Sequence, residues 1–64
     1  MINSFKKARL ISGMTQTELA KTLGVSVNSV CKWEHGKSLP SAKRLKHIAI
    51  TLGTTVGELL EEVS

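Results

Sequence analysis

Apolar residues along this chain return every three to four positions in five short blocks, and a glycine stands in each gap between blocks. That spacing is the α-helical period, so the pattern predicts five short helices. No stretch alternates apolar and polar residues over a useful length, so no strand is expected. The first helix runs from about Ile2 to Ser12, with Phe5, Ala8 and Ser12 on one face, and stops at Gly13. Thr15-x-x-Glu18 is a capping box that opens the second, in which Leu19, Ala20 and Leu23 point inward and Met14 staples onto Leu19. Gly24 permits a tight turn, and Ser26 caps a third helix that Gly36 ends. Pro40 sets the start of a fourth, whose stripe is Leu45, Ile48, Ala49 and Leu52, and Gly53 ends it. Thr55-x-x-Glu58 is a second capping box. It opens a fifth helix with Val56, Leu59, Leu60 and Val63 on one side and Glu58, Glu61 and Glu62 on the other.

The third helix has two unlike faces. With Val27 at zero and ~100° per residue, Val30 and Trp33 fall together on the inward side. Val27, Asn28, Cys31, Lys32 and His35 form the outward side. Asparagine pairs bidentately with adenine, lysine reaches guanine, and valine touches a thymine methyl. A solvated face with ordinary side chains explains the wheel by itself. The Gly24 hinge and the capped helix before it favour a helix over 26–35 that enters the major groove of DNA.

Length and charge narrow the picture. The 64 residues make one domain, 1–64, near the lower size limit for independent folding. The single cysteine excludes an intramolecular disulfide and fits a reducing, cytoplasmic compartment. No apolar run is long enough to span a membrane, and Met1 to Lys7 lacks the apolar segment of a secretory signal. Net charge is +4, but residues 1–53 hold all nine basic residues against Glu18 and Glu34, giving +7. Glu58, Glu61 and Glu62 give the remainder −3. A basic body with an acidic tail suits a polyanionic partner on one side, and ordinary solvation explains it as well.

Thr15-Gln16, Leu19-Ala20, Leu23-Gly24-Val25-Ser26, Val30, Trp33-Glu34, Gly36 and Pro40 together resemble the helix-turn-helix of the lambda Cro/repressor family. The resemblance covers nearly the whole chain. It implies an all-α, compact five-helix domain that binds double-stranded DNA sequence-specifically, usually as a homodimer on a palindromic operator. By position, Val27, Asn28 and Lys32 match the family's base-reading residues. Gln16, Ser29, His35 and Lys37 match its backbone contacts, and Arg9 and Glu34 its structural ion pair. Lys43 and Arg44, near the start of the fourth helix, are further phosphate candidates within the basic run Lys43, Arg44, Lys46 and His47. Leu10, Ile11 and Ile50 are apolar where the family is often polar. Ile50 falls outside the stripe of its helix, which makes it the candidate dimer contact.

Rival chemistries are weaker. Glu34 has no second carboxylate or nucleophile beside it, so it is not read as a catalytic acid. Cys31 and His35 stand one turn apart, but two ligands do not complete a tetrahedral metal site and His47 lies on another helix. Trp33 shares its face with Val30, so it reads as core rather than as a stacking platform. No nucleophile–base pair and no phosphate-cradling loop appears, so the expectation is a non-enzymatic transcriptional regulator without metal or cofactor, a repressor first. The alternative is a protein-interaction module such as an antitoxin-like partner.

Overall fold

The computed structural model describes residues 4–61. Among them five α-helices follow in order: α1 Ser4–Ile11, α2 Gln16–Leu23, α3 Val27–Glu34, α4 Ala42–Leu52 and α5 Val56–Leu60. Helices this short are marginal alone, since isolated ones below ~12–15 residues barely form in water. Packing supplies the rest. Phe5, Leu19, Ala20, Leu23, Val30, Trp33, Leu45, Ile48, Ala49, Leu52 and Leu59 form one core, with Met14 packed against its edge. Burying each of the larger side chains contributes roughly 1.5–3 kcal/mol. α2 packs on α3, α1 bridges α3 and α5, and α4 rests on α5. The Ser4 hydroxyl donates to the Glu61 carbonyl, which ties the start of α1 to the end of α5.

The helix starts are fixed by side-chain caps. Thr15 Oγ1 accepts from Glu18 N while Glu18 Oε1 accepts from Thr15 N, which closes the capping box. These bonds hold the Glu18 carboxyl below its ordinary value, the Thr15 backbone N–H contributing most. The cap is therefore complete above the ordinary carboxylate range and weakens as pH falls through the lowered folded value. Ser26 and Ser41 cap α3 and α4 by accepting from Ser29 N and Arg44 N. The turns that flank α3 need left-handed backbone: Gly24 has φ 71° and Gly36 has φ 70°. Past Gly36, Lys37 N donates to Lys32 O at 2.9 Å and Gly36 N to Trp33 O at 3.2 Å, a Schellman closure that fixes where Lys37 leaves the helix.

Several sequence expectations are corrected. α1 ends at Ile11, and Ser12 lies beyond it with its Oγ donating to Leu52 O at 3.1 Å. Ile2 lies outside the described residues, as do Glu62 and Val63. The fourth helix is capped by Ser41, with Pro40 buried just before the cap rather than inside the first turn. The second capping box forms by half. Thr55 Oγ1 accepts from Glu58 N, but the Glu58 carboxylate turns to Thr54 Oγ1 at 2.5 Å. α5 stops at Leu60, because Glu61 is extended, and Leu60 is 50% exposed instead of facing inward beside Leu59.

Candidate nucleic-acid interface

α3 is held from behind. Val30 is 1% exposed, and Trp33 and Glu34 are buried with it. The opposite face presents Val27, Asn28, Lys32 and His35 to solvent, with Ser29 and Cys31 half-buried at its sides. The wheel drawn from sequence holds in space for Val27, Asn28, Lys32 and His35, while Cys31 is half-buried. Val27 is 41% exposed, so its methyl groups stand at the surface near the helix start.

Some of these side chains are already engaged. Ser29 Oγ lies 3.1 Å from Ser26 Oγ. His35 Nδ1 lies 2.8 Å from the Cys31 carbonyl and 3.4 Å from Cys31 Sγ. A carbonyl oxygen only accepts, so Nδ1 carries the proton. Nε2 is the ring nitrogen left to meet an outside partner.

The ion pair joins α1 to α3. Arg9 Nε donates to Glu34 Oε2 at 2.5 Å and Arg9 Nη2 to Glu34 Oε1 at 3.1 Å, a two-pronged contact between buried side chains. Arg9 Nη1 donates to the Met14 carbonyl at 2.9 Å, just ahead of the α2 cap. Glu34 raises the Arg9 pKa above its already high ordinary value, against the opposing effect of burial. Both oxygens of Glu34 are engaged by Arg9.

The backbone-contact candidates divide. Lys37 and Lys43 are exposed. Arg44 is half-buried, and its Nη1 donates to the Leu23 carbonyl at 3.2 Å, so it also caps the end of α2. Gln16, half-buried at the first residue of α2, donates through Nε2 to Glu34 Oε1 at 3.0 Å. Sequence reasoning missed both bonds, since each spans helices and neither residue type signals a distant partner. Ile50 is 78% exposed on α4, as expected for a residue outside the stripe. No group of three or more His, Cys, Asp or Glu able to hold a metal occurs among the described residues. No helix there is long and apolar enough to cross a membrane.

Comparison with known proteins shows the family. A family model described as helix-turn-helix matches residues 5–59. The HTH-type transcriptional activator BcrR of Enterococcus faecalis is 38% identical over 55 residues, covering 86% of this chain. The chain spans only 27% of that relative's length. An uncharacterized HTH-type transcriptional regulator of Methanocaldococcus jannaschii is 37% identical over 59 residues, covering 92% of this chain and 89% of that protein. No solved structure matches the chain at a significant level.

Proposed function

The chain belongs to the helix-turn-helix family of DNA-binding transcriptional regulators, Cro/repressor type, and from that premise we propose that it lays α3 in the major groove of an operator. The observation that carries this reading is the outward face of α3, where Val27, Asn28 and Lys32 stand exposed on a helix braced by buried Val30 and Trp33. Asn28 and Lys32 read base edges and Val27 meets a thymine methyl. Gln16, Ser29, His35, Lys37, Lys43 and Arg44 hold the sugar–phosphate backbone, which fixes register without reading sequence. The whole of 1–64 acts as one module, a repressor where its site overlaps a promoter, working in the cytoplasm. A reporter with the site placed over or upstream of the promoter measures the direction of regulation.

Selection from a random duplex library tests the reading. A sequence motif should be enriched, and binding to it should weaken steeply with salt. A protein-interaction module of the antitoxin-like kind enriches no motif. Lys37→Ala is expected to weaken binding to all sequences alike and to reduce the log–log salt slope by about 1. An unchanged slope removes Lys37 from the phosphate contacts.

One such module reads only a few base pairs, so tight binding calls for a second copy on a palindromic site. Two recognition helices ~34 Å apart then match one turn of DNA. Ile50 is the proposed contact between copies, with an interface small enough that dimers form chiefly on DNA. Ile50→Glu should abolish cooperative filling of the two half-sites and leave the circular dichroism spectrum intact. Joint filling at wild-type affinity by the variant places the dimer contact elsewhere.

A further inference from the structure

The Gln16 side chain is tied into the domain by a bond that phosphate contact alone does not require. Its Nε2 donates to Oε1 of Glu34 at 3.0 Å, from the first residue of α2 to the last residue of α3. A carboxylate oxygen only accepts, so the bond settles which end of the amide faces inward. Nitrogen points at Glu34, and the second N–H of that nitrogen is left over. Glu34 is itself immobilised, since Arg9 holds both of its oxygens. Arg9 is fixed in turn by the Met14 carbonyl, beside the residue that caps α2.

We propose that Glu34 is a positioning residue for DNA binding: its Oε1 holds the Gln16 amide so that the second N–H is presented to a DNA phosphate at the start of α2. The proposal rests on the DNA-binding reading above and on the Gln16 phosphate contact within it. An unanchored glutamine loses rotamer freedom when it grips a phosphate, whereas one held by Glu34 has already lost it on folding. Glu34 is also the last residue of α3, so the grip on the backbone and the placement of the base-reading helix share one anchor. A base-reading helix and a phosphate clamp joined by one buried group move together, and register is kept.

The test is a double-mutant cycle on a duplex selected by the wild-type chain, using Gln16→Ala, Glu34→Gln and both changes, with folding followed by thermal melting. A hydrogen bond to a charged group is worth a factor of about 10 to 100, so Gln16→Ala should weaken wild-type binding by about tenfold or more. In the Glu34→Gln background the same change should cost less than about threefold, since coupled residues are not additive. A purely structural Glu34 lowers the melting temperature and leaves the Gln16→Ala loss equal in both backgrounds, a result that overturns the proposal. If Glu34→Gln does not fold, side-chain ¹⁵N relaxation of the wild-type chain decides. A Gln16 amide as ordered as the backbone before DNA is added, and shifted when the duplex is added, supports it. An amide as mobile as that of Asn28 until DNA binds overturns it. A wild-type chain that enriches no duplex overturns the DNA-binding reading and this proposal with it. Melting and relaxation, which need no DNA, tell that failure apart from the failure of the Glu34 anchor alone.

Discussion

Glu34→Ala is expected to destabilise the domain by about 3–5 kcal/mol, the cost of leaving one member of a buried ion pair unpaired. The guanidinium of Arg9 stays behind, buried, with no acceptor for its Nε and Nη2. A domain this small keeps a net stability of only about 3–5 kcal/mol once chain entropy is subtracted, so the variant should be largely unfolded at room temperature. The pair is not therefore a large net source of stability. Replacing both partners by methionine, Arg9→Met with Glu34→Met, should be near neutral or stabilising by about 1–4 kcal/mol. Urea melts followed by circular dichroism measure both. A single variant that loses under about 1 kcal/mol contradicts the burial argument, because only a solvated pair is that cheap to break.

Trp33→Ala is expected to cost about 3–5 kcal/mol through lost burial and the cavity left behind. Trp33 is 7% exposed and, with Val30, forms the surface on which α3 rests. As the sole tryptophan it reports its own environment, so emission should shift to the red as the wild-type chain unfolds. Trp33→Phe keeps an apolar ring and should retain the fold with a smaller loss. Its DNA affinity should fall by more than its stability predicts, because α3 loses its fixed height above the core. If Trp33→Ala melts like the wild-type chain, α3 is not braced in this way.

What the sequence makes legible is local. The capping box at Thr15 and Glu18 involves residues three apart, so their spacing is enough to predict both bonds. The faces of α3 follow from ~100° per residue, because the helix is regular from Val27 to Glu34. At the chain's far end the expected apolar face is too wide. Leu59 and Leu60 are neighbours ~100° apart, so the face that buries Leu59 leaves Leu60 at the surface, and Glu61 beyond it turns extended. The Thr55 box fails for another local reason, since the neighbouring Thr54 hydroxyl competes for the Glu58 carboxylate. Arg9 and Glu34 are paired by family resemblance, not by pattern, since 25 residues separate them. Gln16 to Glu34 and Arg44 to Leu23 depend on how α2 meets α3 and α4, and no spacing in the chain encodes that meeting.

The central claim is that the exposed face of α3 reads bases. Asn28 stands in the middle of that face, so the deciding measurement is the affinity of Asn28→Ala for the selected duplex and for random duplex, at one salt concentration. A loss of about 1–3 kcal/mol on the selected site, little change on random DNA and relaxed preference at a single base pair are the predicted results. Equal losses on both duplexes would make Asn28 a backbone contact and contradict its base-reading role.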